Sequence, residues 1–195
     1  MGRAGRLAAG AAALIAGTLS AVADPPEKLV PCLACHGAEG QSEFDLVPSL
    51  GAQPAPYSLI QLFIFREKMR LAEPMNDVAK ELNDDDLQSM AAALAALPPP
   101  KPPPRQASDP GDPARLERAQ ALAGQNHCNV CHRPDFSGQQ NVPRLANQRE
   151  DYLLKSLRDY KSGARRGYDA TMAEALQPLD DSQLVEFAYY LAHLR

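Results

Sequence analysis

The chain has 195 residues, a length that suits one ordinary domain or two small ones. Its 24 acidic residues outnumber its 20 Lys and Arg residues, and because no basic stripe offsets them we expect no nucleic-acid partner. Aromatic residues make up 6% of the chain and tryptophan is absent, so two domains of this size would have thin cores unless something besides side chains filled them.

The chain begins with the features of a secretory signal peptide. Two arginines precede an apolar run over residues 7–19, and an Ala-x-Ala cleavage site ends at Ala23. The run is far shorter than the roughly 20 residues that span a bilayer. We therefore predict that residues 1–23 are cleaved after Ala23 and that the mature protein is periplasmic, without a membrane span. An uncleaved membrane anchor is the less favoured alternative.

The rest of the chain contains one pattern twice, which predicts two copies of one domain over residues 24–97 and 112–195. The sequence Cys32-Leu-Ala-Cys35-His36 recurs 96 residues later as Cys128-Asn-Val-Cys131-His132. Further landmarks recur at offsets of 95 to 97. They are Pro48 and Pro143, Gln53 and Gln148, Tyr57 and Tyr152, Arg70 and Arg165, and Met75 and Met172.

A proline-rich linker over residues 98–111 separates the two copies. Residues 98–113 contain 8 prolines, which predicts a semi-rigid polyproline II spacer that rises about 3.1 Å per residue. A docking ligand for a proline-binding module is the alternative, but such modules belong mainly to intracellular signalling.

Helical periodicity without any alternating strand pattern predicts an all-α fold. Asn83 and Asp180 can cap corresponding final helices, and Asp112 with Pro113 opens a further helix that Gly124 ends. A middle helix in each copy carries a set of apolar residues. These are Leu59, Leu62, Phe63 and Met69 in the first copy, and Leu153, Leu154, Leu157 and Tyr160, with Gly163 just past the end, in the second.

The two Cys-x-x-Cys-His strings are typical of covalent haem attachment. The thiols can form thioether bonds with the haem vinyl groups, and the histidine is then placed to coordinate the iron. Three alternatives remain open: a zinc site, a redox-active dithiol and ordinary disulfides. All three are weaker, because 93 residues separate Cys35 from Cys128, no βαβ context is present, and both copies keep the histidine.

The opposite face of each iron needs a second ligand or stays open. Met172 is the sole methionine of the second copy and aligns with Met75, which follows Pro74 in a predicted connecting loop. Met69 and Met90 lie on predicted apolar helical faces, where methionine usually fills the core. We predict Met75 and Met172 as ligands. A thioether favours ferrous iron, and two bound ligands leave no coordination position for a substrate, as in an electron carrier.

Four further residues are candidates for supporting roles. Pro48 and Pro143 follow their histidines by 12 and 11 residues, and their carbonyls could accept the second imidazole N–H. Arg70 and Arg165 precede each methionine and could bind haem propionates. A solvated helix end is the alternative for both arginines.

The order of these motifs resembles class I cytochrome c, and two such domains after a signal peptide resemble the dihaem cytochrome c₄ family. The resemblance covers the chain from Asp24 onward. It implies two covalent haem c groups, with axial pairs His36–Met75 and His132–Met172. It also implies electron exchange with a terminal oxidase, a quinol-oxidising complex or a periplasmic dehydrogenase. The short first helix and the proline-rich linker depart from the family pattern.

The favoured function is therefore a periplasmic electron carrier rather than an enzyme. A cytochrome subunit that accepts electrons from a periplasmic dehydrogenase is the alternative, and a dihaem peroxidase-like enzyme is a weaker one. Charge is uneven, with 12 acids against 5 bases over residues 24–97 and 11 of each over residues 112–195. We hypothesise that the acidic first domain docks on a basic partner.

Overall fold

The computed structural model describes Met1 and residues 26–103, 112–166 and 170–194. The predicted signal peptide and the second half of the linker lie outside this part of the chain, apart from Met1. The all-α prediction is confirmed, since the described residues contain helices and a single isolated β-bridge between Gln139 and Val142 but no strand. The helices are α1 (Val30–His36), α2 (Ala55–Arg66), α3 (Met75–Ala79), α4 (Asp84–Ala96), α5 (Pro113–Gln125), α6 (Cys128–His132), α7 (Glu150–Ser162), α8 (Thr171–Leu176) and α9 (Asp181–Ala192), with a short 3-10 helix at Glu27–Leu29.

The final helix of each half begins at the predicted cap. The side chains of Asn83 and Asp180 each accept a hydrogen bond from the backbone N–H three residues on. The backbone N–H groups of Asn83 and Asp180 donate in turn to the side chains of Asp86 and Gln183, which completes a capping box in each half. Gly163 ends α7 with a φ of 77°, a left-handed conformation that glycine adopts without steric cost.

Each half has its own hydrophobic core. In the first half α2 packs on α4, and the buried residues include Leu29, Phe65 and Met90. In the second half α7 and α5 both pack on α9. The 3-10 helix packs on α4 in the first half, as α5 packs on α9 in the second. The larger core of the second half includes Leu153, Leu157, Leu184, Phe187 and Leu191.

Three local predictions were wrong. Met69 lies beyond α2 with 62% of its surface exposed, because the chain turns after Arg66 and the N–H groups of Met69 and Arg70 both bond to the Ile64 carbonyl. Met75 is the first residue of α3 rather than part of a loop. Helix α5 continues past Gly124 to Gln125, since nothing there requires a positive φ. Met90 is buried, as predicted.

Two glutamines join the halves in a nearly symmetric way. The side chain of Gln53 bonds to the backbone N–H and carbonyl of Arg144, at 3.0 and 2.9 Å. The side chain of Gln148 bonds to both backbone groups of Ser49, each at 2.7 Å. Gln53 is the repeat counterpart of Gln148, and Ser49 is the counterpart of Arg144. The two halves therefore meet through equivalent surfaces, as in an isologous dimer.

The start of the linker is held against the first half. The Gln41 side chain bonds to the backbone N–H and carbonyl of Lys101, at 3.1 and 3.2 Å. Gly51 allows the close approach, since a Cβ there would lie 2.2 Å from the Pro98 carbonyl oxygen. The described helices include none that is long and apolar enough to cross a membrane.

Candidate haem-binding sites

The two Cys-x-x-Cys-His strings form short helices. Cys32 and Cys35 lie one turn apart in α1, and Cys128 and Cys131 lie one turn apart in α6. Residues three apart share a helix face, so both thiols of a pair can reach one ligand. All four thiols are free, and the second of each pair is exposed.

The acidity of the thiols argues against a redox-active dithiol. Burial raises the pKa of both Cys32 and Cys128 above its usual value. Reactive cysteines have lowered pKa values, because the thiolate is the nucleophile. Cys32 and Cys128 therefore lack the lowered pKa that is typical of a redox-active dithiol.

Both histidines are buried and fixed by a proline carbonyl. His36 Nδ1 donates to the Pro48 oxygen at 2.8 Å, and His132 Nδ1 donates to the Pro143 oxygen at 2.9 Å. A carbonyl can only accept, so Nδ1 carries the proton and Nε2 keeps its lone pair. Burial lowers the pKa of each imidazole, which favours the neutral form that binds a metal.

The two predicted methionine ligands occupy matching places. Met75 and Met172 both lie in the first turn of a short helix, α3 and α8, half-buried against the core of their own half. Each follows a loop that leaves the middle helix, α2 or α7. The repeat therefore has the same order of elements around both methionines.

Asn76 is a supporting residue that sequence reasoning missed. It is 1% exposed, and its amide donates to the carbonyls of Phe65 and Arg70, both at 2.8 Å. Its oxygen accepts from the N–H of Ala72 at 2.7 Å. These bonds fix the loop directly before Met75. The repeat offset places Ala173 at this position in the second half, so comparison of the copies could have revealed the difference.

Arg70 and Arg165 meet where the halves join. Arg165 is 7% exposed, and its guanidinium donates to the hydroxyls of Tyr57 at 3.1 Å and Tyr152 at 3.4 Å. Arg70 donates to Gln61 and, at 3.4 Å, to the same Tyr152 hydroxyl. The surface alternative is wrong for Arg165, whose side chain lies in the interior.

These guanidiniums have no acidic partner among the described residues. Arg165 Nε is buried without any hydrogen-bond acceptor, and so is the Nε of Arg144, which sequence reasoning also missed. No described carboxylate forms an ion pair with Arg70, Arg144 or Arg165. Buried cations are normally paired, so this cluster suits an anionic ligand.

The electrostatics of Tyr152 point the same way. Burial opposes ionisation of its phenol, but Arg165 and Arg70 outweigh burial and lower the pKa to about 7. The two guanidiniums thus favour ionisation of the Tyr152 phenol, which is a weak acid. A carboxylate is ionised at neutral pH without such help and is a better counter-ion for them than a phenol. Haem carries two propionates, so the thiols, the histidines and this arginine cluster together fit haem.

Comparisons with known proteins agree with this chemistry. The family model for cytochrome c matches residues 116–195. Cytochrome c₄ of Thiocapsa roseopersicina is 32% identical over 84% of this chain and 86% of its own length. The structure of reduced cytochrome c₄ from Pseudomonas stutzeri matches with a TM-score of 0.76 at 25% identity, over 86% of this chain and 95% of that chain.

A second kind of relative is also similar. The thiosulfate dehydrogenase electron acceptor of Stutzerimonas stutzeri A1501 is 27% identical over 84% of this chain and 78% of its own length. Relatives of both kinds are electron-transfer proteins, and the cytochrome c₄ match is close enough and long enough to assign the family. The chain belongs to the dihaem cytochrome c₄ family and is an electron-transfer cytochrome.

Proposed function

We propose that the protein is a periplasmic carrier of single electrons that binds two haem c groups. The observation that carries this proposal is the duplicated site, in which a buried histidine follows two thiols and donates to a proline carbonyl. The resemblance of residues 1–23 to a secretory signal peptide supports the periplasmic location.

Each residue of the site has a distinct task in this proposal. Cys32 and Cys35 hold one haem, and Cys128 and Cys131 hold the other. The ligand pairs are His36 with Met75 and His132 with Met172. The bound haem supplies a one-electron couple between ferrous and ferric iron, and the thioether ligand raises its potential.

The residues around each site limit reorganisation. The carbonyls of Pro48 and Pro143 keep each imidazole in one orientation and one tautomer. Arg70 and Arg165 neutralise propionates. With both axial positions filled, no position remains for a peroxide or another substrate, which disfavours a peroxidase-like enzyme.

The carrier has two classes of partner in this proposal. One is a respiratory complex, either a terminal oxidase or a quinol-oxidising complex. The other is a periplasmic dehydrogenase to which the protein serves as cytochrome subunit. The similarity to thiosulfate dehydrogenase electron acceptors supports this second role.

Absorption spectroscopy of protein matured in a periplasm tests the proposal. We expect two thioether-linked haems per chain, a sulfur-to-ferric-iron charge-transfer band and no spectral shift of the reduced protein under carbon monoxide. A carbon monoxide shift in half of the haem would contradict closed ligation at one site and favour the catalytic alternative. Stable co-purification with a dehydrogenase would select the subunit role over the free carrier.

A further inference from the structure

Exposed apolar side chains are concentrated in the first half. The loop over residues 37–48 carries two of them, Phe44 with 58% and Leu46 with 51% of its surface exposed. Both are large, and neither contributes to a core. A large exposed apolar side chain is costly unless a partner covers it.

Backbone geometry makes Leu46 still more unusual. Its φ is 61°, in the left-handed region that costs a non-glycine residue about 1 kcal/mol or more. Leucine is a poor choice there, since glycine or asparagine adopts this conformation with less strain. Neither packing nor backbone preference therefore explains leucine at this exposed position.

The loop is rigid rather than loose. The Ser42 hydroxyl donates to the Cys35 carbonyl at 3.1 Å and accepts from the Phe44 N–H at 3.2 Å. The Leu46 N–H donates to the Asp151 carboxylate of the second half at 2.9 Å. Phe44 and Leu46 are thus presented on a fixed backbone, so binding costs little conformational entropy.

All charges in this loop are negative. Its charged residues are Glu39, Glu43 and Asp45, and it contains no Lys or Arg. Asp45 pairs with Arg149 at 2.9 Å, but its side chain remains 93% exposed. An apolar centre with an acidic rim complements an apolar centre with a basic rim. A second copy of this acidic chain would be repelled.

The second half contains no such surface in its corresponding loop. Between His132 and Pro143 the aromatic residue is Phe136, which is 3% exposed and lies in the core. The exposed non-glycine residues with a positive φ are Arg133 and Gln140, both polar, and this loop has one acidic and one basic residue. The domain fold therefore does not require exposed apolar side chains in the loop between the histidine and the proline.

We propose that Phe44 and Leu46, with the acidic rim of Glu39, Glu43 and Asp45, form the docking surface for a basic redox protein. The loop begins after His36 and ends at Pro48, whose carbonyl oxygen lies 2.8 Å from His36 Nδ1, so both of its ends are anchored at a proposed iron ligand. Electron transfer slows steeply with distance, so docking on this loop favours exchange with the first haem. The inference rests on the proposed function and adds the surface and the partner's charge.

Stopped-flow electron transfer tests the docking surface. The reduced holoprotein donates one electron to the ferric iron of a basic mitochondrial cytochrome c, used as the probe. Phe44→Ser and Leu46→Asn should each lower the second-order rate constant about fivefold, the effect of a residue central to an interface. Leu46→Asn should at the same time keep or raise the unfolding temperature, since asparagine relieves the strain. Glu43→Gln should flatten the dependence of the rate on ionic strength.

Phe63→Ser is the matched control, because Phe63 is 40% exposed on α2 of the same half and lies outside the loop. We expect it to change the rate by less than about twofold. Wild-type rates for Phe44→Ser and Leu46→Asn, or an equal loss for Phe63→Ser, would overturn the docking surface. Oxidation by ferricyanide, which is small and anionic, should be the same in Phe44→Ser, Leu46→Asn and the control, because none of these variants changes a charge. A wild-type holoprotein that reduces neither probe would instead refute the carrier function itself.

Discussion

Arg165 shows how a single side chain can reveal a missing charge. Its guanidinium is buried, and its hydrogen-bond partners are hydroxyl and amide oxygens of Tyr57, Tyr152, Ser156 and Gln61 rather than carboxylates. Desolvating a cation is costly unless an anion compensates. The proposed binding of a propionate would explain why an arginine is tolerated here, whereas a purely structural role would not need a charge.

Replacement of this cation should change the haem potential. In Arg165→Gln, loss of a positive charge near the propionates stabilises ferric iron, so the reduction potential of at least one haem should fall. The free energy of unfolding should drop by about 2 kcal/mol, because buried hydroxyls lose their donor. Spectroelectrochemical titration measures the first effect and chemical denaturation the second. Arg158→Gln is the control, since Arg158 pairs with Asp181 at the surface, and an equal potential shift there would refute the propionate role.

At the scale of elements, α3 and α8 hold equivalent methionines by different means. The loop before α3 is fixed by three bonds to the Asn76 side chain, whereas α8 has Ala173 at the matching position. The exposed Met69 and Leu71 lie within this loop and cannot stabilise it by burial. The hydrogen bonds of Asn76 therefore hold the loop in the first half.

Removal of the Asn76 side chain should loosen Met75 selectively. In Asn76→Ala, two carbonyls and one N–H lose buried partners, which should lower the free energy of unfolding by about 3 kcal/mol. The reduced holoprotein should then bind carbon monoxide at half of its haem, as measured by absorption. Asn83→Ala, which removes a helix cap at a cost of about 1 kcal/mol, is the control and should leave both haems closed. No carbon monoxide binding in Asn76→Ala would show that the loop does not position Met75.

At the scale of the whole molecule, the halves are joined mainly by polar groups. Gln53 and Gln148 each satisfy both backbone groups of a residue in the other half, and Ser49, Gln53 and Gln148 are all buried. Such bonds fix a register more strictly than apolar contacts do, because they are directional. This symmetric junction brings Arg70 and Arg165 to one place.

Loss of both glutamine side chains should separate the halves without unfolding them. In Gln53→Ala with Gln148→Ala, each change should cost about 2 kcal/mol of junction stability, since buried backbone groups lose their partners. Small-angle scattering should give a larger radius of gyration while circular dichroism keeps its helical signal. Gln177→Ala removes bonds inside the second half only and is the control. An unchanged radius in the double variant would assign the junction to other contacts.

The junction should also weaken in acid. Partial burial opposes ionisation of Asp151, but Arg149 and the N–H groups of Leu46 and Tyr152 outweigh it and lower the pKa. A lowered folded pKa stabilises the native state above the unfolded pKa of about 3.9, and this contribution disappears as the pH falls through the folded value. Asp151→Asn should thus cost about 1 kcal/mol at neutral pH and nothing once wild-type Asp151 is protonated. Denaturation of both proteins at several pH values checks this, and a difference that does not vary with pH would contradict it.

The repeat, the haem-attachment strings, the capped helices and the Met75–Met172 alignment were all readable along the chain. Each is a local pattern, in which chemistry or helix periodicity restricts residues that are close in sequence. The helix caps at Asn83 and Asp180 formed as predicted for this reason. Errors arose where a helix ended, since the turn after Arg66 depends on bonds to Ile64 and on Asn76 rather than on a local breaker.

Contacts between the halves could be decided only by the tertiary structure. The sequence allowed Arg165 to be either a propionate ligand or a solvated helix end, and the fold excludes the solvated position by burying Arg165 against Tyr57, 108 residues away. The same holds for the unpaired Arg144 Nε, for the junction glutamines and for the exposure of Phe44 and Leu46. Burial and charge pairing depend on which distant segments of the chain come into contact. A local sequence pattern does not contain that information, so only the folded structure reveals it.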